Sequence, residues 1–248
     1  MAAVSGTAIT MEAPDDVGRV LVVSAHPDDV DFGAAGSVAA WVKAGASVTY
    51  CIVTDGDAGG SDLSVSRPAM ARVRREEQLA AAAEVGVDEV TFLGYPDGRL
   101  VPSIELRRDI SREIRRVRPD RLVCQSPERN WDRIVASHPD HLAAGEAAVC
   151  AVYPDARNPF AHPELLDEGL EPFAVPEVWL MATPNANRGV EITDTFDQKL
   201  RALRRHVSQV GDGEFLDGLL RGWFGPQALA AGLDEGRYVE LFRAVATA

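Results

Sequence analysis

Short apolar segments rich in β-branched residues alternate with longer segments of helical periodicity along most of the chain. Strands that are apolar on both faces are typical of a parallel sheet covered by helices, and each strand–helix–strand unit implies a right-handed crossover. The pattern therefore predicts an α/β protein, a single-domain Rossmann-like three-layer sandwich with a mainly parallel central sheet. The predicted strands are 19–25, 46–53, 89–93, 121–124 and 177–181, and the predicted helices are 33–44, 66–85, 103–117, 141–152 and 197–207.

Three segments fall outside this alternation. Residues 1–18 contain no strong element and are interpreted as a flexible leader, so that the domain spans 19–248. The tail at 236–246 is predicted to form a last helix. The segment 153–176 contains five prolines and is predicted to be an ordered loop or flap over one edge of the sheet.

Charge and cysteine content exclude several classes of partner. The chain has 248 residues, with 38 Asp and Glu against 25 Lys and Arg, and a formal net charge of −13. Nucleic acid binding requires clustered basic residues, and no apolar run approaches the roughly 20 residues of a membrane span. We therefore expect neither a nucleic acid partner nor membrane insertion. The cysteines, Cys51, Cys124 and Cys150, show no pairing pattern, which favours free thiols in a reducing cytoplasm.

Two short motifs of nearly the same composition carry most of the candidate chemistry. Residues 26–29 read His-Pro-Asp-Asp and residues 138–141 read His-Pro-Asp-His, and together they hold three of the five histidines. Each motif follows a predicted strand and leads into a predicted helix. Sites in doubly wound folds form beyond the carboxyl ends of the strands, so we expect both motifs to face the same crevice.

These motifs contain enough donors for a metal site. Histidine and aspartate are good zinc ligands, and a catalytic zinc takes three protein ligands and keeps one open position. The available donors are His26, one of Asp28 and Asp29, and one or both of His138 and His141. Spacing alone does not choose among them. The remaining groups can supply the general base and the charge-stabilising group that a hydrolytic metal site requires.

The sequence around the two motifs resembles the LmbE-like (PIG-L-like) zinc-dependent N-deacetylases. The resemblance runs from about 20 to 209 and includes Phe-Gly-Ala-Ala-Gly-Ser at 32–37 and Leu-Gly-Tyr-Pro-Asp-Gly at 93–98. It implies a zinc-dependent hydrolase that removes an N-acetyl or other N-acyl group from a small amide, an N-acetylglucosamine-type glycoside. The alternative is an amidase of the same family that acts on a thiol conjugate or a secondary-metabolite intermediate. A non-catalytic or dinucleotide-binding Rossmann-like protein ranks lower, because the Gly-x-Gly-x-x-Gly fingerprint is absent.

The resemblance also implies a division of labour within the motifs. His26, Asp29 and His141 are the implied zinc ligands, and Asp28 is the implied general base. His138, as an imidazolium, is implied to stabilise the oxyanion or to protonate the leaving amine. Relatives are commonly oligomeric, so a homo-oligomer is compatible with the resemblance.

Four further residues are candidates for the site. Asp140 is expected either to raise the pKa of His138 by its charge or to occupy the first turn of a helix, where the dipole favours it. Arg74 resembles the family position that holds substrate hydroxyls, Asp97 resembles a sugar-contacting or ligand-orienting aspartate, and His206 is a candidate for the pocket lining.

The sequence departs from the family pattern at two positions. The family often has Glu directly after the paired aspartates, whereas Val30 stands there and Asp31 follows. Some relatives place a tyrosine oxyanion donor two residues before the second motif, where this chain has Ala136.

Overall fold

The computed structural model describes residues 8–60 and 62–247, and eight strands in this part of the chain form one sheet. The strands are Thr10–Met11 (β1), Arg19–Ser24 (β2), Ser47–Thr54 (β3), Glu89–Tyr95 (β4), Arg121–Gln125 (β5), Glu177–Met181 (β6), Arg188–Glu191 (β7) and Val239–Ala246 (β8). Their order across the sheet is β1-β7-β8-β6-β5-β2-β3-β4. Strands β4, β3, β2, β5 and β6 are parallel, and β8 runs antiparallel to β6 and β7. The predicted single-domain α/β fold with a mainly parallel sheet is confirmed.

Helices cover both faces of this sheet. They are Asp29–Gly33 (α1), Ala35–Lys43 (α2), Arg67–Glu84 (α3), Ile104–Val117 (α4), Pro139–Cys150 (α5), Glu164–Asp167 (α6), Phe196–Leu203 (α7), Val207–Val210 (α8) and Leu216–Ala230 (α9). One buried apolar cluster includes residues of α2, α3, α7 and α9, and a second includes residues of α4 and α5. The two clusters are the two interfaces of a three-layer sandwich.

The predicted helix at 236–246 is wrong, because these residues contain strand β8. Val239 and Phe242 are fully buried, and β8 pairs on both sides, with β6 and with β7. Short apolar runs carry no periodicity that separates a strand from a helix. These residues form a strand because they pair with β6 and β7, and the sequence pattern of the tail does not show that pairing.

The ends of the sheet contain structure that the sequence interpretation did not include. Strand β1 lies within the segment 1–18 and pairs with β7, so regular structure begins before Arg19. Residues 1–7 of the interpreted leader lie outside the described residues. Strand β7 and helix α9 were not predicted either.

The proline-rich segment 153–176 is ordered, as predicted. The buried Arg115 of helix α4 fixes it by donating to five of its carbonyl oxygens, those of Asp155, Ala156, Asn158, Ala161 and Leu170. Cys51 and Cys124 are buried free thiols, as expected, and Cys150 is free and half-buried. Within the described ranges, no helix combines the length and the apolar character needed to cross a bilayer.

The sheet brings the two motifs together. Strands β2 and β5 are parallel neighbours, so the chain segments that leave their carboxyl ends start side by side. Helix α5 packs closely against the end of β5. Glycine at position 145 allows this approach, since a Cβ there would overlap the carbonyl oxygen of Gln125. This close approach places the start of α5 beside the first motif.

Candidate metal centre

The first motif turns sharply between β2 and α1. Strand β2 ends at Ser24, and the backbone of Asp28 has φ 94° and ψ −27°, in the left-handed region. Helix α1 starts at the next residue, Asp29. Because of this turn, the carboxylate of Asp29 folds back and accepts the backbone N–H of His26 at 2.7 Å.

The second motif reaches the same place from a different backbone. Strand β5 ends at Gln125, and a 3₁₀ turn at Ile134–Ser137 precedes His138, which caps the N-terminus of α5. The Nδ1 atom of His138 accepts the backbone N–H of Asp140 at 3.2 Å. His141 lies in the first turn of the helix.

Asp29 lies between the other two predicted ligands, His26 and His141. Its Oδ2 lies 3.2 Å from Nδ1 of His26, and its Oδ1 lies 3.0 Å from Nε2 of His141. The ring centroids of His26 and His141 are 5.2 Å apart. Burial acts to raise the pKa of Asp29, but the two histidines outweigh it and hold this pKa well below its ordinary value. Asp29 is therefore an anion between two imidazoles.

The spacing of these donors suits a zinc ion. A tetrahedral zinc with bonds of about 2.0–2.1 Å holds its ligand atoms roughly 3.3 Å apart, and Asp29 makes two contacts of this size, 3.2 Å to His26 from Oδ2 and 3.0 Å to His141 from Oδ1. Two imidazoles and one carboxylate also form a ligand set used by catalytic zinc sites. His138 adds a further donor, because ligand atoms of His26, His138 and His141 lie within 4.8 Å of one another.

A second group of carboxylates faces the other nitrogen of His26. Nε2 of His26 lies 3.2 Å from Oδ2 of Asp140 and 3.2 Å from Oδ1 of Asp97. Burial acts to lower the pKa of His26, and these carboxylates together with Asp29 outweigh it and raise the pKa. Carboxylates in this position fix the tautomer and the orientation of a metal-binding histidine.

Asp140 therefore contacts His26 and makes no side-chain contact with His138. It does occupy the first turn of α5, and its two oxygens also accept the backbone N–H groups of Gly98 and Leu100, at 2.7 and 3.1 Å. Burial, followed by the charges of His26 and His141, lowers the pKa of His138, against the opposing charge of Asp140. The charge of Asp140 therefore acts to raise the pKa of His138, as expected, although burial and the two histidines outweigh it. The other expectation, a place in the first turn of the helix, is met as well.

The carboxyl group of Asp28 lies beside this donor cluster. Burial raises the pKa of Asp28 to about 6, against the opposing charge of Arg74. Nη2 of Arg74 lies 3.2 Å from Oδ2 of Asp28 and also donates to the carbonyl oxygen of Pro27. A carboxyl group with a pKa nearer neutrality is better matched to general base catalysis than an ordinary aspartate.

The three predicted substrate contacts all have partners inside the protein. Arg74 is only 4% exposed and donates to Pro27 and to Gly56. Asp97 contacts His26, and His206 is fully buried with its Nε2 2.8 Å from Oδ2 of Asp31. Substrate contact by these residues stays a prediction.

Sequence reasoning missed two glutamines that touch the motifs. Nε2 of Gln125 donates to Oδ2 of Asp29 at 2.8 Å, and Oε1 of Gln125 accepts the backbone N–H of Ala25 at 3.0 Å. Oε1 of Gln78 accepts the backbone N–H of Asp28 at 2.8 Å. A glutamine at the end of an apolar strand or within an alanine-rich helix gives no signal of such a contact.

A cavity of about 840 Å³ opens onto the donor cluster. Its wall includes Asp29 and His141 as well as Phe32, Arg133 and Trp223. The guanidinium of Arg133 stacks over the ring of Trp223 at 4.2 Å. This volume lies within the range of about 300–1,000 Å³ that is typical of small-molecule sites.

The fold and this site define an α/β protein with a candidate metal centre at the carboxyl ends of parallel strands. A family profile described as PIG-L: GlcNAc-PI de-N-acetylase matches residues 21–152. The chain is 33% identical over 195 residues to the diacetylchitobiose deacetylase of Thermococcus kodakarensis, covering 79% of this chain and 71% of the relative. The chain belongs to the PIG-L (LmbE-like) family of metal-dependent deacetylases, which confirms the resemblance seen in the sequence.

Two further comparisons extend this result. A crystal structure of N,N'-diacetylchitobiose deacetylase from Pyrococcus horikoshii with an inhibitor has a TM-score of 0.86 and 32% identity, covering 94% of this chain and 86% of that one. A probable N-acetyl-alpha-D-glucosaminyl L-malate deacetylase 2 from Bacillus subtilis is 30% identical over 208 residues, with 82% of this chain and 86% of the relative covered. These relatives share an N-acetylated glucosamine unit in their names and differ in what is attached to it.

Proposed function

We propose that the protein is a zinc-dependent hydrolase that removes the N-acetyl group from a small N-acetylglucosamine-type glycoside. The observation that carries the proposal is the cluster of His26, Asp29 and His141 with the carboxyl group of Asp28 beside it. Water would be consumed, the amide C–N bond would break, and acetate and a free amine would form. The named relatives are deacetylases of acetylated glucosamine derivatives, which supports this substrate class.

The metal would be held by His26, Asp29 and His141. When bound, zinc supplies a Lewis acid that polarises the amide carbonyl and lowers the pKa of water. Asp140 and Asp97 would keep the His26 ring oriented through its Nε2 atom. Gln125 would keep the Asp29 carboxylate oriented through its Oδ2 atom.

Two residues would move protons. Asp28 would take a proton from the attacking water, in the role of general base. Nδ1 of His138 is occupied as an acceptor, so a neutral His138 ring carries its proton on Nε2. His138 would offer this N–H to the carbonyl oxygen as negative charge develops there or, in its imidazolium form, pass a proton to the departing amine and return to the neutral ring.

Acetate release tests the proposal. Protein stripped with a chelator and reloaded with one equivalent of zinc is incubated with N-acetylglucosamine, N,N'-diacetylchitobiose and an N-acetylglucosaminyl glycoside, and acetate and free amine are quantified. The proposal predicts zinc-dependent release of both products in equal amounts. Equal rates with and without metal would contradict it.

The same experiment separates the alternative substrates. If no acetylated sugar is cleaved but an acylated thiol conjugate or an acylated secondary-metabolite intermediate is, the protein is the amidase of the alternative interpretation. The cavity of about 840 Å³ is large enough for either class of substrate, so the assay is what distinguishes them.

A further inference from the structure

The backbone of Asp28 adopts a conformation that is uncommon outside glycine, although aspartate and asparagine tolerate it better than most residues do. Its φ of 94° lies in the left-handed region, where a Cβ is crowded by the neighbouring carbonyl group. The side chain of Asp28 makes no capping hydrogen bond to helix α1 that would compensate for this conformation. Such a residue stays in place only when its surroundings hold it there.

Helix α3 supplies that hold. The wholly buried Gln78 accepts the Asp28 N–H on its Oε1 at 2.8 Å and donates from its Nε2 to Oδ2 of Asp31 at 2.9 Å. Its amide therefore links the residue before α1 to a residue within α1. Arg74, one helical turn earlier on the same face of α3, contacts the Asp28 carboxylate and the Pro27 carbonyl.

The orientation of the Gln78 amide is itself fixed. Oδ2 of Asp31 also lies 2.8 Å from Nε2 of His206, and both residues are fully buried. Two donors therefore converge on one carboxylate oxygen, so the nitrogen end of Gln78 faces Asp31 and its oxygen end faces Asp28. Lys199 donates to the carbonyl oxygens of Asp31 and Phe32, at 2.7 and 2.8 Å, which fixes helix α1 from its other side.

We propose that Gln78 is a positioning residue, held by Asp31 and His206, that keeps Asp28 in its left-handed conformation and so directs the Asp28 carboxylate at the reacting water. The proposal rests on the proposed function, because it takes Asp28 to be the general base. In this proposal Asp31 and His206 hold the Gln78 amide in place and do not contact the substrate. The proposal also explains how a buried glutamine far along the chain affects the first motif.

The test replaces Gln78 by methionine, which has a similar shape but lacks the amide. Gln198→Met, on helix α7 with its amide on the carbonyl of Glu84, is the matched control for the same chemical change elsewhere. The first readout is the backbone hydrogen exchange of the Asp28 amide measured by NMR, which requires no activity. The second readout is the pair of values kcat and KM for acetate release, each determined separately.

The proposal predicts that Gln78→Met speeds exchange of the Asp28 amide at least ten-fold, while amides in the middle of β2 exchange at the wild-type rate. It predicts a kcat lowered ten- to a hundred-fold, a KM within two-fold of wild type and an unchanged zinc content. In an Asp28→Asn background, Gln78→Met should lower the residual rate less than two-fold, because groups that act as a unit are not additive. Gln198→Met should match wild type in every measurement.

Two results would overturn the proposal. One is an Asp28 amide that exchanges at the wild-type rate in Gln78→Met. The other is a kcat that Gln78→Met lowers ten- to a hundred-fold even in the Asp28→Asn background. If Gln78→Met does not fold, Gln78→Asn gives the same comparison, since it keeps the amide but is one methylene too short to reach both partners. If wild-type protein releases no acetate from any probe, the proposed function fails. The exchange measurement still decides the positioning in that case.

Discussion

The two His-Pro-Asp segments have nearly the same sequence and opposite local structures. In the first, the aspartate after proline, Asp28, has a left-handed backbone, and its carboxyl group is paired with Arg74 and lies close enough to Asp29 and His26 to feel their charges. In the second, Asp140 is part of helix α5 and its carboxylate accepts backbone N–H groups of Gly98 and Leu100. Asp28 is paired with one side chain, that of Arg74, whereas Asp140 accepts two backbone N–H groups and contacts His26.

This difference shows that the backbone, rather than the residue pattern, assigns the roles. The first segment contributes two carboxylates and one imidazole to the site. The second contributes two imidazoles, and its carboxylate orients the imidazole of the first segment, His26. Under the proposed function, the same three residues thus supply a base in one place and a support for a metal ligand in the other.

Removing a ligand should have the largest effect. His141→Ala leaves Asp29 and His26 without the third donor, so we expect loss of stoichiometric zinc and acetate release at the background rate. Metal analysis by plasma emission together with the acetate assay checks this. A His141→Ala protein that retains zinc and activity would exclude His141 from the metal centre.

Replacing the base should separate chemistry from metal binding. Asp28→Asn preserves shape and tolerates the left-handed backbone, but it cannot take a proton. We expect kcat to fall roughly 10²–10⁴-fold, the usual contribution of a general base, with one zinc retained per chain. Wild-type turnover by this variant would show that another group is the base.

The corresponding change in the second segment should act on the metal instead. Asp140→Asn removes one of the two carboxylate charges that face Nε2 of His26, the other being that of Asp97, and loss of such a partner typically costs about 10–100-fold in metal affinity or activity. We expect weaker zinc binding by competition with a chelator and partial recovery of the rate at saturating zinc. A rate that is lost to the same degree as in Asp28→Asn, at full zinc occupancy, would remove the distinction between the two aspartates.

The smallest effect should come from the close packing under the second segment. Gly145→Ala puts a Cβ against the carbonyl oxygen of Gln125, and such overpacking costs about 1–3 kcal/mol. Gly218→Ala, where nothing lies within 4 Å of the added Cβ, is the control and should be neutral or stabilising by up to ~1 kcal/mol. Urea unfolding of the two variants measures the difference, and equal stabilities would argue against tight packing between α5 and β5.

Local patterns predicted much of this molecule. The parallel strands are uniformly apolar, and the two motifs follow strands that are neighbours in the sheet, so their meeting follows from topology. The tail could not be predicted, because strand β8 is defined by its pairing with β6 and β7. Gln78 and Gln125 could not be predicted either, since their contacts span 50 and 96 positions of the chain. The leader boundary, an oligomer and a cytoplasmic location stay predictions.

The most direct test of the division between the two segments is a zinc titration of Asp28→Asn and Asp140→Asn, followed by acetate release at saturating zinc. The account predicts that Asp28→Asn binds zinc as wild type does and remains inactive, whereas Asp140→Asn binds zinc more weakly and regains activity as zinc is added. The reverse result, with zinc affinity lost in Asp28→Asn and chemistry lost in Asp140→Asn, would contradict it.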